Sequence, residues 1–147
     1  MTPQALAALH AAAFTTPRPW RADEFAGFLK DAACDLVTLP GGFALIRSIV
    51  DEAELLTIAV APGQRRKGIA TTLLVRCLTR ARARDAATLF LEVAATNSAA
   101  IALYEKSGFT RTGRRPDYYT CPDGTRLDAI IMARDLQVSA AEIPESG

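Results

Sequence analysis

Three basic residues, Arg65, Arg66 and Lys67, stand between Gly63 and Gly68, after the apolar run Leu55–Val60 and before a stretch whose apolar positions recur at helical spacing. Such a turn can bind an anion. The first N–H groups of a helix have no partner within it and point outward. The helix dipole puts partial positive charge at the same place, and a phosphate placed there is stabilised. A glycine at 68 removes side-chain bulk so that the anion can approach the main chain. The chemistry this implies is a pyrophosphate cradle made by Gly63, Arg65, Arg66, Lys67, Gly68, Ile69 and Ala70. Two familiar phosphate loops do not fit. A Walker loop needs Lys-Ser/Thr after its last glycine, where Ile69-Ala70 follow; a dinucleotide loop needs glycines near 68, 70 and 73, where Gly68, Ala70 and Leu73 stand. What remains, Arg65-x-x-Gly68-x-Ala70, is equally the pattern of a basic, solvated helix start.

Glu92 is the second chemical candidate. It ends the run Leu89-Phe90-Leu91-Glu92, near the C-terminal end of a predicted strand, where open α/β sheets build their sites. A carboxylate there is either a proton acceptor or a strand-end glutamate facing solvent or pairing with an arginine. The only histidine, His10, lies in an Ala-rich stretch, and Cys34, Cys77 and Cys121 form no C-x-x-C pair. No His/Cys cluster is present to hold zinc, so no metal is expected. The odd number of thiols suits a reduced, cytoplasmic setting.

These residues must be positioned by a small scaffold. The 147 residues correspond to one domain, expected over 1–136, with a short polar tail at 137–147. Half the residues are hydrophobic and 22% are charged, which excludes a mainly disordered chain. Lys plus Arg total 17 against 16 Asp plus Glu, so a protein built to coat nucleic acid is not expected. No apolar run approaches the roughly 20 residues that cross a bilayer, and the N-terminus has no secretory pattern. A helix is expected over 4–14 and another from Asp23 to Ala33, followed by strands Cys34–Leu39, Phe43–Val50 and Glu54–Val60 joined by tight turns. A long helix spans Gly68–Arg84. Thr88–Val93 reads as a buried parallel strand. Asn97 caps a helix that runs to Ser107, where Gly108 takes the left-handed end position, and strands follow at Phe109–Gly113 and Leu127–Asp135. The fold class is α/β, with a mixed sheet and one strong strand-helix-strand unit.

The loop Arg65–Ala70, the run Leu89–Val93 and the segment Asn97-Ser98-Ala99-Ala100-Ile101-Ala102-Leu103-Tyr104 ending in Gly108-Phe109 together resemble the GCN5-related N-acetyltransferase (GNAT) family over about residues 52 to 136. Within that family, Pro19-Trp20, Tyr118-Tyr119, Asp123-Gly124 and Asp128–Met132 resemble the ribosomal-protein-alanine N-acetyltransferases. The chain departs from that pattern in a short N-terminal part without an obvious first strand, and in Arg65 and Ala70, where relatives often carry Gln and Gly. The resemblance implies a GNAT fold: a mostly antiparallel central sheet flanked by helices, with a splayed parallel strand pair that binds acetyl-CoA. It implies acetyl transfer from acetyl-CoA, as cosubstrate, to a protein N-terminal alanine, with a ribosomal protein as partner; a small-molecule amine is the alternative acceptor. A monomer or weak homodimer, with no membrane or direct nucleic-acid contact, is expected.

Acetyl transfer from a thioester needs a neutral amine, a stabilised oxyanion and a proton for the leaving thiolate. An α-amine has a pKa of about 8, so much of it is protonated near neutrality. The resemblance implies that Glu92 takes that proton and that Tyr104, whose phenol keeps its proton to a pH near 10, supplies one to the thiolate. Tyr104 suits plain core packing as well. Ile58, Ala59 and Val60 are expected to offer main-chain groups to the pantetheine arm, as an added strand does at a sheet edge, with the Val60 N–H facing the oxyanion. Asn97 is implied to bond the same arm; its capping role alone explains the residue. Tyr118, Tyr119 and Asp123 either shape the acceptor pocket or serve strand packing, and Trp20 forms part of that wall or covers the core.

Overall fold

The structure, a computed structural model, describes residues 1–14 and 18–137. The expected polar tail lies, from residue 138 onward, outside the described residues. The chain opens on helix α1 (Pro3–Ala13), whose start is set by Thr2: its hydroxyl accepts from the Ala5 N–H at 3.1 Å, while Pro3 fills a first-turn position where no N–H is needed. Helix α2 (Ala22–Lys30) begins where the Glu24 carboxylate reaches back to the Arg21 N–H at 3.0 Å. It stops three residues before the expected Ala33. The Asp31 N–H bonds Phe28 O, and the Asp31 carboxylate caps the Ala33 N–H at 2.9 Å, which turns the chain into the first strand.

Strands β1 (Cys34–Leu39), β2 (Gly42–Ile49) and β3 (Glu52–Val60) form the antiparallel meander that the turn residues predict. A one-turn 3₁₀ helix at Pro62–Gln64 leads to helix α3 (Ile69–Ala83), then come β4 (Thr88–Ala94), helix α4 (Ser98–Lys106), β5 (Thr110–Thr120) and β6 (Arg126–Asp135). The six strands lie in the order β1-β2-β3-β4-β6-β5. β4 is parallel to β3 through only three pairs, Glu52 with Thr88 to Glu54 with Phe90, while its other edge is paired antiparallel to β6 along its whole length.

β5 is the clearest departure from expectation: it continues past Gly113 to Thr120. Gly113 and Pro116 look like strand breakers, but β5 is an edge strand, and edges tolerate proline. Register shifts at Arg111/Gly113 and Arg115/Tyr119 absorb the irregular residues, and Asp128 of β6 holds the second one by accepting from the Asp117 N–H at 2.9 Å and from Arg114 Nε at 2.6 Å.

The two faces of the sheet carry separate cores. α3 buries Leu73, Leu74, Cys77, Leu78 and Ala81 against one face, where it meets Ala44 and Ile46 of β2, Leu55 of β3 and Leu91 of β4. α1 and α2 bury Leu6 and Phe25 on the other face against Phe43 and Ala59. Trp20 covers this second core, 5.3 Å from the His10 ring and 4.9 Å from Phe28.

The β2–β3 turn stores strain. Val50 is 87% exposed and sits at φ 57°, a left-handed conformation that disfavours a β-branched residue. Val50→Gly is expected to stabilise the fold by about 1 kcal/mol, with a rise of roughly 3 °C in Tm in thermal unfolding. An unchanged or lower Tm would show that the turn is relaxed by other means.

Candidate active site

Because pairing between β3 and β4 stops at Glu54 and Phe90, the two strands separate beyond that level. The gap is a cleft of about 510 Å³, walled on one side by Leu55–Val60 and on the other by Leu91–Ala94. The register of the β2–β3 hairpin says which main-chain groups face it. The Ala61 N–H bonds Gly41 O at 2.8 Å, and Gly42, Phe43 and Ala44 then oppose Val60, Ala59 and Ile58. Antiparallel ladders alternate hydrogen-bonded and open pairs. Ala59 therefore spends its main chain on Phe43, whereas Val60 and Ile58 present their N–H and C=O groups on the β4 side, to the cleft. Of the three consecutive residues expected to offer main-chain groups, the geometry turns Ile58 and Val60 the right way and Ala59 the wrong way.

At one end the cleft runs into a second cavity of about 300 Å³ against the start of α3, with Val60, Arg65, Ala70 and Leu103 bordering both. Gly68 precedes α3 at φ 74° and Arg66 sits at φ 66°. No side chain caps this helix, so its first N–H groups remain available, and a Cβ on Gly68 would meet nothing within 4 Å. Arg65, Arg66, Gly68, Ile69 and Ala70 all border the second cavity. Lys67 does not: its ammonium turns back onto Gln64 Oε1 at 3.1 Å. Gly63 also lies outside both cavities. Thr71, which no sequence motif marks, also borders the second cavity. The Arg65 guanidinium reaches Ala13 O at 3.5 Å and ties the loop to α1. Asn97 accepts from the Ala100 N–H at 3.2 Å as the cap of α4 and borders the cleft as well, so both of its readings are compatible with its position.

Glu92 and Tyr104 enter the same cleft from β4 and α4. The Glu92 carboxylate is 3.1 Å from Arg115 Nε, and its side chain retains 16% exposure. Tyr104 is nearly buried, edge-on to Phe109 at 5.9 Å. Burial pushes its phenol well above the usual range, with Tyr119 and Cys77 adding to the effect, so the oxygen keeps its proton at physiological pH. Tyr119 lines the cleft and is pushed up to about 12, first by burial and then by the Glu92 charge. Tyr118 is raised too, first by its hydrogen bond to Glu92, and the Arg115 guanidinium lies 5.4 Å from its ring centre. On β3, burial raises the Glu54 carboxyl, the Glu92 charge adds to this, and Arg47 at 3.6 Å opposes it. Asp123 stays in the β5–β6 turn, bonded to the Thr125 N–H and hydroxyl at 3.0 and 2.6 Å, and does not border the cleft.

The arrangement is an anion cradle joined by an amide-lined cleft to a carboxylate and a protonated phenol. The sequence profile described as Acetyltransferase (GNAT) family matches residues 7–109. The chain belongs to the GNAT family. It is an N-acetyltransferase, and GNAT enzymes use acetyl-CoA. It is similar to the ribosomal protein bS18-alanine N-acetyltransferase of Escherichia coli K12, at 41% identity over 119 residues that cover 78% of this chain and 80% of the relative. The enzyme of the same name from Salmonella typhimurium is 45% identical over 91 residues, covering 62% of this chain and 61% of that one. Among solved structures, the ribosomal-protein-S18-alanine N-acetyltransferase of Escherichia coli superposes with a TM-score of 0.80 at 36% identity, over 96% of this chain and 91% of that one. The splayed strands and the layering of helices are thus those of the GNAT fold.

His10 was no more than a histidine in an Ala-rich stretch by sequence; in the structure it is buried at the edge of this site. Its Nδ1 accepts from the Trp20 N–H at 3.0 Å, and its Nε2 lies 2.9 Å from Thr57 Oγ1. Burial lowers its pKa from 6.5 to about 4. The unfolded chain therefore binds a proton that the folded chain refuses between those values. Stability is expected to be flat above pH 6.5 and to fall by up to about 3 kcal/mol as the pH drops to 4. Urea unfolding across this range tests it: His10→Gln should remove that part of the slope, and an unaltered slope would contradict the assignment.

Proposed function

We propose that this GNAT chain acetylates the α-amine of a protein N-terminus, with the N-terminal alanine of a small-subunit ribosomal protein as its acceptor. The observation that carries the proposal is the continuous path from the uncapped start of α3, along the outward main chain of Ile58 and Val60, to Glu92 and Tyr104. The similarity to enzymes named for alanine acetylation of ribosomal protein bS18 supports the choice of acceptor.

In this reading the first-turn N–H groups of α3 and the Arg65 and Arg66 side chains hold the diphosphate of acetyl-CoA. The cofactor supplies an acetyl thioester. Ile58 and Val60 align its arm through main-chain hydrogen bonds, and the Val60 N–H faces the charge that builds on the acetyl oxygen. Asn97 adds a bond to the arm from the start of α4. Glu92 takes the proton of the acceptor ammonium, directly or through one water, so that the neutral amine can attack. Arg115 holds the carboxylate in place. Tyr104 then hands its phenolic proton to the departing sulfur. Burial makes this phenol a weaker acid, and a thiolate formed beside it is made a stronger base by the same lack of solvation; the proton moves from the neutral phenol to the thiolate, and the phenolate left behind regains a proton from solvent before the next turnover.

The experiment follows thiol release from acetyl-CoA with a peptide beginning Ala-Arg-Tyr. Turnover with that peptide, and none with an N-terminally blocked peptide carrying an internal lysine, is the expected result. Turnover only with small amines would overturn the acceptor while leaving the family chemistry in place.

A further inference from the structure

Among the described residues, His10 is the one buried side chain outside the apolar cores' own members that carries polar atoms, and the chemistry above leaves it unused. Its surroundings fix its proton. The Trp20 N–H can only donate, so Nδ1 is the acceptor and the neutral ring carries its hydrogen on Nε2. That hydrogen is donated to Thr57 Oγ1 at 2.9 Å. Thr57 borders the cleft, and among the described residues His10 is the one hydrogen-bond partner of its hydroxyl. A hydroxyl that accepts on one side in this way has its own O–H aimed elsewhere, and the open side is the cleft. The lowered pKa of the ring keeps this arrangement unchanged at physiological pH.

Thr57 also stands opposite Glu92. Ile46 opposes Leu55 while the preceding Leu45 opposes Thr57, so Leu56 is an extra residue, a bulge in β3. The last β3–β4 pair is Glu54 with Phe90. Counting past that pair and setting aside the bulged Leu56 brings Thr57 level with Glu92. The side chains share a face. Leu91 and Val93 point into the core beneath α3, so Glu92 between them points to the opposite face, the one that carries α1 and His10. Strands separate by about 4.8 Å where they pair and by more beyond, a gap that one residue's N–Cα–C=O unit spans.

We propose that Thr57, its hydroxyl aimed by His10, donates a hydrogen bond to the first main-chain carbonyl of the acceptor and so sets the acceptor's amine beside Glu92. Thr57 is then an acceptor-binding residue and His10 a positioning residue that acts through it. The proposal rests on the reading that the acceptor is a peptide N-terminus. It also distinguishes peptide acceptors, which carry that carbonyl, from simple alkylamines, which do not.

The test uses acetyl-CoA with two peptides beginning Ala-Arg-Tyr, one natural and one with a trans-alkene in place of the first amide. Thr57→Val is expected to raise KM for the natural peptide about five- to tenfold, with kcat within about twofold and CoA affinity unchanged. Thr57→Ser should restore KM. The alkene peptide should show a raised KM with wild-type protein and no further rise with Thr57→Val. His10→Phe should raise KM in the wild-type background and add nothing to Thr57→Val. An unchanged KM for Thr57→Val, an equal rise on both peptides, or a fall in kcat alone would overturn the proposal. Wild-type protein inert toward the natural peptide would overturn it together with the acceptor assignment; wild-type turnover that Thr57→Val leaves untouched would overturn it alone.

Discussion

Glu92→Gln is expected to bind acetyl-CoA as the wild type does and to lose acetyl transfer by about 10²- to 10⁴-fold in kcat, the usual scale for removing a general base. The substitution keeps the shape of the side chain on β4 and removes its charge, and with the charge its ability to take a proton. The cofactor contacts assigned to α3 and β3 do not involve it, so CoA titration should give the same Kd. A second consequence is spectroscopic. Tyr118 is raised chiefly by its hydrogen bond to the Glu92 carboxylate, so its phenol should titrate at a lower pH in the variant than in the wild type. Unchanged kcat would remove Glu92 from the reaction. Unchanged kcat with a shifted Tyr118 titration would leave it a purely structural partner of Arg115 and Tyr118.

Tyr104→Phe is expected to lower kcat by about 10²-fold with KM for the acceptor close to wild type, because the role proposed for the phenol is on the leaving sulfur and not on the amine. The ring fills the same space against Phe109, so thermal unfolding should change little. The direction of the phenol's shift adds a pH test. With Tyr104 held above its ordinary value of 10, kcat of the wild type should show no alkaline decline up to pH 10 from loss of this proton. A decline centred at or below pH 10 that vanishes in Tyr104→Phe would mean that burial does not raise the phenol as the structure has it.

The parts of this site that were legible in the sequence are those set by local chemistry. The start of α3 is written in Gly68 and the basic residues before it. The cap of α4 is written in Asn97, and the inward face of α3 in the spacing of Leu73, Leu74, Cys77, Leu78 and Ala81. What was illegible depends on register between distant strands or on where a long side chain turns. Lys67 belongs to the basic cluster by sequence, yet its ammonium folds back on Gln64. Ala59 sits between two residues that face the cleft, but the parity of the β2–β3 ladder turns its main chain away. Gly113 and Pro116 stop a strand by their propensities, and edge position together with two register shifts lets β5 run through them. His10 and Thr57 are 47 positions apart, and only the packing of α1 on β3 brings them together.

The central claim is that the uncapped N-terminus of α3 and the outward amides of β3 hold the cofactor's diphosphate and arm. Amide hydrogen exchange with and without saturating CoA measures this at the atoms concerned. Without CoA, the Ile69, Ala70 and Thr71 N–H groups have no helical partner and should exchange quickly. With CoA, these three and the Ile58 and Val60 amides should slow together, while the Ala59 amide, already bonded within the hairpin, should change little. CoA that binds tightly yet leaves the first turn of α3 exchanging at its free rate would contradict the account.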